Sequence, residues 1–567
     1  MINYPSFNKL AFNGEKKILV VFICFFLLNI LQAVFTPLLN DEAYYWVFSQ
    51  NMDWGYLDHP PLIAFLIMLS SRVLPGEIGV RLFCVILGSF TFFFLFKIII
   101  KESKAEINCV RIVLLLGGSI FLNLYSFLAI PDTPLLFFGV MFFWFFQKFL
   151  KEDKWQNVLA LGLVIPLLLY SKYHGILIIG FSVLAYPEIL KRKSFYLIFL
   201  IALALFTPYI YWLIENDFRT IRFQFLESRS VEFDINNIFS YVGEQFLITG
   251  PIILLLFSIL YKPENTFQKV LKYNVVGIFI FFLFSTFKGS VYTHWTAIAW
   301  LPMLILTYLY MNQKNTISRL IKSLLILNFL IVLVLRLSLI FNWFVIMNIN
   351  NQNPKLLTET LRRETKLKPL VFQDMYIEPS LFMFYQKQNC FAINNLGHKR
   401  TQFNYWAKYE KEVQGKTVNL ISPSKLNDSS VEIKIKIKNG GTYFMNMMAD
   451  FRSCFTTVEV EAMNLNNKIN AGKNYTIQYL LKCNLNNEEK EQLNTKGFIL
   501  ILFMINNRTR EEYTYRGPLD LCQSGKSELE IVVPAKKGNY RCTFLINNEK
   551  YPYLMGFNSK TYYIRVE

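Results

Sequence analysis

Histidine is scarce in this chain, at four in 567 residues, and the familiar nucleotide and metal signatures are missing. There is no P-loop, no G-x-G-x-x-G, no H-E-x-x-H, and no D-x-D element in the membrane half, so nothing points to a bound nucleotide. No C-x-x-C pair or His/Cys spacing marks a zinc site. No small-residue cleavage site follows the first apolar run before Asn40, and the run at 18–35 is long for a signal peptide, so it is expected to be an uncleaved first span. No internal repeat of the kind many transporters carry is visible.

What is present is apolar and aromatic. Hydrophobic residues make up 53% of the chain, and its 55 Phe exceed what an ordinary soluble core uses. Up to about residue 350, long Leu/Ile/Phe/Val runs alternate with short polar breaks. They lay out about eleven spans, at roughly 18–38, 79–99, 111–130, 133–149, 156–171, 174–189, 195–213, 244–261, 273–288, 295–310 and 320–346. The net charge is +18, and in the membrane half many of the Lys and Arg sit in alternate short loops, such as Lys97/Lys101/Lys104/Arg111, Lys148/Lys151/Lys154 and Lys191/Arg192/Lys193. This is the positive-inside pattern, which argues for a bilayer and against nucleic acid as the partner. It places the N-terminus in the cytoplasm, and an odd number of spans leaves the C-terminal region outside.

The expected architecture is a polytopic α-helical membrane protein with a C-terminal extracytoplasmic α/β plus β-sandwich region. Its parts are a membrane domain at 1–348 with an external loop at 40–77, a small α/β domain at 349–428 and a β-sandwich at 429–567. In the external loop, residues 41–52 have the spacing of an amphipathic helix on the interface, and 62–69 is too short to span. Cys454, Cys483, Cys522 and Cys542 all fall in the β part, where disulfides and free buried thiols are both open readings.

Polar chemistry gathers in the external loops. Asp41-Glu42 stands just past the first span, where a carboxylate can take the proton of an attacking hydroxyl; the bland alternative is a helix-start acid. Asp58-His59, ahead of Pro60-Pro61, brings a second carboxylate and an imidazole, or simply the turn into a re-entrant helix. Lys172-Tyr173-His174 puts a cation against the positive-inside trend, either as an anion ligand or as a snorkelling anchor. Arg219, Arg222, Arg229, Lys288 and His294, the last followed by Trp295, are further external cations suited to a phosphate. Arg81 and Arg336 fall within or near spans, where pairing inside the bundle and a functional role are both open.

Taken together, these segments resemble the polyprenyl-phosphate-sugar-dependent glycosyltransferases of the protein-mannosyltransferase superfamily, on the branch that includes lipid A aminoarabinose transferases. The stretches that carry the likeness are Asn40-Asp41-Glu42-Ala43-Tyr44-Tyr45-Trp46, Gly55-Tyr56-Leu57-Asp58-His59-Pro60-Pro61, Gly76-Glu77 with Val80-Arg81-Leu82, and Pro131-Asp132-Thr133-Pro134-Leu135. Ser171-Lys172-Tyr173-His174, Phe223-Gln224-Phe225 with Arg229, His294-Trp295, and 397–403 with Trp406 complete it. The likeness runs in order over about 40–410; the β-rich end matches no known pattern.

The resemblance implies a GT-C fold with its site at the outer face, roofed by a soluble domain. It implies Asp41 as the catalytic acid position, with Glu42 beside it and Asp58 as the second acid of the same loop. His59 stands where many relatives carry Lys. Lys172 and the arginines would neutralise the phosphate of a polyprenyl-phosphate sugar donor, and displacement would invert the anomeric centre. The acceptor would be lipid A or lipopolysaccharide, a surface glycan or a protein, in the cell (inner) membrane. A divalent metal is not indicated. A transporter or flippase of lipid-linked sugars is the alternative, and a membrane-anchored glycan-binding scaffold is a third.

Overall fold

The computed structural model describes all residues except 1–6, 105–106, 225–233, 249–252, 314–317, 342, 344–352, 397, 427–431, 439, 466–467, 495–496 and 522–525, with backbone alone at 7–15, 247–248, 253, 494 and 518. The chain divides into two compact units, Met1–Met347 and Asn348–Glu567, close to the boundary expected from the loss of apolar runs.

The first unit is helical. In order come α1 (Phe7–Phe35), α2 (Asn40–Ser49), α3 (Leu62–Val73), α4 (Gly76–Glu102), α5 (Cys109–Gly117), α6 (Ile120–Leu124), α7 (Asp132–Lys151) and α8 (Trp155–Ser171). Then follow α9 (Gly175–Ala185), α10 (Lys193–Glu215), the single turn α11 (Arg219–Arg222), α12 (Ile235–Ile248), α13 (Ile253–Leu260), α14 (Thr266–Ser285), α15 (Trp300–Gln313) and α16 (Arg319–Ile340). Backbone that crosses a bilayer must satisfy its own hydrogen bonds, which is why the apolar runs become helices. Among the described residues, six helices are long and apolar enough to cross a membrane, namely those at 16–35, 76–102, 132–151, 193–215, 266–288 and 319–340. Their outward faces are apolar: Leu19, Val20 and Leu27 on α1, Leu197, Phe199 and Leu200 on α10, and Leu330, Ile331 and Val334 on α16 are all exposed. A soluble protein does not present so much apolar surface.

Each expected span holds helix, but not always a single one. The run at 111–130 is split at Gly117-Gly118, where Ser119 caps α6 by accepting from the Leu122 N–H (3.4 Å). The run at 295–310 opens with a 3-10 turn, Thr293–Ala299. Helix α2 forms where expected, but it is packed against its neighbours on most sides: Ala43, Tyr44, Tyr45, Val47 and Phe48 are all buried. Its apolar side chains cover too much of its circumference for a one-sided helix, so protein covers it on more than one side.

The second unit contains three sheets. Strands β1 (Leu370–Gln373), β2 (Phe391–Ile393) and β3 (Val418–Ser422) pair in parallel, with helices α17 (Pro354–Thr365), α18 (Ile377–Gln386) and α19 (Ala407–Val413) between or beside them. Strands β4 (Ile433–Lys436) and β5 (Thr442–Met448) extend this sheet in the order β2-β1-β3-β5-β4. The α/β layer therefore runs past the expected boundary at 428, because β5 pairs antiparallel with β3 from Val418 opposite Met448.

Two antiparallel-dominated sheets, β10-β9-β12-β13-β7 and β11-β8-β6, form the expected sandwich. They run from β6 (Val458–Ala462) through β7 (Lys468–Ile469), β8 (Asn474–Cys483), β9 (Phe498–Asn506), β10 (Glu512–Pro518), β11 (Lys526–Val532) and β12 (Gly538–Asn548) to β13 (Tyr562–Val566). Helix α20 (Asn487–Asn494) lies between β8 and β9 in sequence. Cys454, Cys483 and Cys542 are free thiols, and Cys522 lies outside the described residues. The 398–406 motif is structural as well as charged: Arg400 donates to Ser559 O (2.6 Å) and holds the α/β layer to the sandwich.

Candidate active site

Helix α2 starts at the outer end of α1, and its first turn carries both acids of the Asp-Glu pair. They are not equivalent. Glu42 is fully buried. Its Oε1 accepts from Arg81 Nε (2.7 Å) and the Ala129 N–H (2.8 Å), and its Oε2 from the Leu39 N–H (2.9 Å) and Arg81 Nη2. Arg81, from the second turn of α4, spends its remaining N–H groups on the carbonyls of Ala33 (3.1 Å), Thr36 (2.5 Å) and Pro37 (2.8 Å). One ion pair thus joins the end of α1, the start of α2, α4 and the segment before α7. Asp41, one residue earlier, is exposed.

The loop after α2 is closed from within. Tyr56 stacks on Phe48 (4.1 Å), and its hydroxyl lies 3.1 Å from Phe48 O and 3.2 Å from Asn51 O. Its N–H donates to His59 O (3.1 Å). The chain around α11 latches onto the same loop, with the Thr220 hydroxyl donating to Tyr56 O (2.8 Å) and the Gln224 amide to Asp58 O (3.0 Å).

Asp58 is turned inward. Its Oδ1 is buried and accepts no hydrogen bond among the described residues. Burial first, and then the negative charge of Asp41, push its carboxyl up to about 7. His59 meets Tyr45 edge to face at 5.3 Å. Burial, and next the Lys172 ammonium, push it down to about 3. The phenol of Tyr45 is held well above its usual range by burial and by Asp41, Asp58 and Asp132, which places all three carboxylates within electrostatic reach of one side chain.

Asp132 opens α7 and Lys172 follows the end of α8; the ammonium lies 2.9 Å from each carboxylate oxygen, and both residues are only 4% exposed. Lys172 is therefore paired rather than open to an anion, which the sequence reading did not anticipate. Tyr173 bonds through its hydroxyl to that of Tyr209. His174 begins α9 with its ring 5.3 Å from both Phe282 and Trp295. His294 stacks beside Tyr292 (5.9 Å), and burial followed by the Lys172 charge pushes it down to about 4.

His59 and His294 are thus neutral at physiological pH, a correction to the expectation that His294 is one of the external cations. Low-dielectric surroundings disfavour a second positive charge next to Lys172.

The remaining cations are more scattered. Arg219 and Arg222 are half-buried on α11, with Arg222 paired to Asp217. Lys288 is exposed past α14, and no hydrogen bond or ion pair among the described residues ties it to the cluster. Arg229 lies outside the described residues. Arg336 on α16 is buried and donates to Asn29 Oδ1 (2.8 Å), Asn123 O (2.8 Å) and Ser126 Oγ (2.9 Å), so it braces the segment leading to Asp132.

Asp132 and Tyr45 entered the sequence reading only within the stretches that carry the resemblance, and Arg81 only as an intramembrane cation whose role was open. A usable signal was present, since each buried cation requires a carboxylate, and Glu42 and Asp132 are the acids at matching helix ends. Among the described residues, no group of three or more His, Cys, Asp or Glu is placed to hold a metal ion.

A multi-span helical bundle with acids gathered at helix ends, followed by a strand-rich unit, defines a membrane protein of the GT-C fold. The family model of dolichyl-phosphate-mannose-protein mannosyltransferases matches residues 58–212, a stretch that holds Asp58, Asp132 and Lys172 but begins after Asp41. The fold is similar to that of ArnT from Cupriavidus metallidurans in two crystal structures. The one bound to undecaprenyl phosphate is 12% identical with a TM-score of 0.56, covering 75% of this chain and 97% of that one. The apo structure is 12% identical with a TM-score of 0.54, covering 76% and 98%. Comparison with curated proteins gives no significant match. The superfamily likeness read from the motifs is therefore supported both by sequence and by fold.

Proposed function

We propose that the protein is a membrane glycosyltransferase that moves a sugar from a polyprenyl-phosphate donor to a hydroxyl acceptor outside the cytoplasm. The observation that carries this reading is the placement of exposed Asp41 beside Asp58, Tyr45 and the Asp132–Lys172 pair, on a helix fixed by the buried Glu42–Arg81 pair. The acceptor O–H gives its proton to the Asp41 carboxylate as its oxygen bonds to the anomeric carbon. The bond from that carbon to the phosphate oxygen breaks, and its electron pair leaves with the lipid phosphate. Attack opposite the leaving group inverts the centre.

Asp58, protonated below about pH 7, adds no charge against the phosphate there and can donate a hydrogen bond to the sugar. In this reading Arg219, Arg222 and Lys288 supply positive charge for the carrier phosphate, and Tyr173, His174 and Trp295 contact the substrate. Glu42 acts by positioning rather than by contact. A polyprenyl phosphate donor is supported by the likeness to a structure holding undecaprenyl phosphate, and a bacterial inner membrane is the matching location. The acceptor is a lipid A or lipopolysaccharide sugar, a surface glycan or a protein.

The test is mass spectrometry of envelope glycolipids and glycoproteins from a deletion strain carrying wild type or Asp41→Asn at equal expression. A defined sugar that is present with wild type and absent with the variant establishes transfer. Identical spectra would remove Asp41 as the base and favour transport of a lipid-linked sugar.

A further inference from the structure

Helices α4 and α7 start near the buried ion pairs, at Gly76 and Asp132, and both end in lysines far from Asp41. At that far end, side chains of the two helices converge on one indole. The Lys101 ammonium lies 5.2 Å from the ring centroid of Trp144, and the Lys148 ammonium 4.7 Å. Lys151 stands one turn beyond Lys148 on the same face of α7. Trp144 and Lys148 are half-buried, and Lys101 and Lys151 are exposed, so all four reach the outside of the bundle.

The protein does not neutralise these three charges. Among the described residues, no ion pair or hydrogen bond engages the ammonium of Lys101, Lys148 or Lys151. The neighbouring acid, Glu102, is 8% exposed, and its carboxylate accepts from the amides of Gln147, Asn265 (2.9 Å) and Gln268 (2.9 Å). Glu264 pairs with Lys104, and Glu152 with Lys154. The last carbonyls of α7, which a lysine could otherwise cap, are served by Arg192, whose Nη1 donates to Phe149 O (2.8 Å). Lysines that only snorkel are free to point away from one another. Here two meet at one ring, and what is missing between them is an anion.

An apolar track leads away from the same indole. Phe94 meets Trp144 at 5.6 Å, Phe90 meets Phe94 at 6.5 Å, and Phe22 of α1 meets Phe90 at 5.2 Å. Phe90 is 38% exposed, so the track faces outward. Lys101 and Phe90 lie about 16 Å apart along the helix axis, close to half the thickness of a bilayer core. Tryptophan with lysine at the end of a span, and bare rings below, match a headgroup above an acyl chain.

We propose that Lys101, Lys148, Lys151 and Trp144 hold the phosphate of an anionic phospholipid of the surrounding bilayer, with its acyl chain along Phe94 and Phe90. This lipid is retained rather than consumed, so the site is separate from the proposed sugar transfer and goes beyond it.

The test is native mass spectrometry of the full-length protein in detergent, with phosphatidylglycerol or phosphatidylcholine of the same acyl chains added. The expected result is retention of phosphatidylglycerol over phosphatidylcholine. Its apparent affinity should fall at least tenfold in Lys101→Gln/Lys148→Gln and at least threefold in Lys148→Gln alone. It should hold in Lys262→Gln/Lys322→Gln, which removes two exposed lysines outside the cluster. Equal retention of the two lipids, unchanged retention by the cluster variants, or an equal loss in the control variant would overturn the proposal. Displacement of the lipid by equimolar inorganic phosphate would also overturn it, by making a soluble anion the ligand.

Discussion

Asp41 and Glu42 are neighbours with opposite fates, because one helical step turns their side chains about 100° apart. Asp41→Asn is expected to lower sugar transfer by about 10²–10⁴-fold while leaving thermal unfolding unchanged, since an exposed base carries chemistry and little packing. Glu42→Gln should lower both stability and transfer, because the helix that carries Asp41 is held by the Glu42–Arg81 pair. It leaves the Arg81 charge buried and uncompensated, at a cost of about 3–5 kcal/mol, and unfolding in detergent should start at markedly lower temperature.

Asp58 adds a pH signature. Its carboxyl, raised to about 7, is protonated in the folded protein at pH values where it is ionised in the unfolded chain. Its contribution to stability is therefore complete at low pH and lost as pH rises through 7. Above that pH the new negative charge also opposes an anionic donor, so the donor KM should climb between pH 6 and 8 in wild type and stay level in Asp58→Asn. The sequence displayed every one of these acids, but only the three-dimensional structure showed that Glu42 and Asp132 are bound to buried cations.

Among elements, the close approach of α4 to the segment before α7 depends on one residue without a side chain. A Cβ on Gly88 would lie 2.3 Å from Ser126 Cα, which is backbone and has little room to yield. Gly88→Ala should therefore destabilise by about 1–3 kcal/mol. It should also depress transfer, because Ser126 and Ala129 belong to the stretch that Arg336 and Glu42 hold in place. Circular dichroism and an activity assay on the same preparation would check both effects.

Helix positions were legible in the sequence because apolar runs of bilayer length leave the backbone few other choices. The break at Gly117-Gly118 and the burial of α2 were not, since each depends on neighbours distant in sequence. The motif of 55–61 was visible as a rigid turn, but its latch by Thr220 and Gln224 was not, because separations of over 160 residues leave no periodic trace.

For the whole molecule, composition located the change from a helical to a strand-rich unit, while the finer boundary moved because β4 and β5 joined the α/β sheet instead of the sandwich. Strand alternation shows which segments are extended but not which partner each one chooses. Within the site, the buried charges cancel two by two: Glu42 against Arg81, and Asp132 against Lys172. The imidazoles of His59 and His294 are neutral. If the proposed lipid-phosphate donor binds here, its attraction falls to Arg219, Arg222 and Lys288, which solvent can reach, and their field is open to counterions. Between about 0.01 and 1 M salt the Debye length shrinks from about 30 to 3 Å. On the proposed reading, capture of the donor should therefore weaken steadily with ionic strength while turnover at saturation holds steady, so that the salt around the protein sets how readily the lipid is taken up.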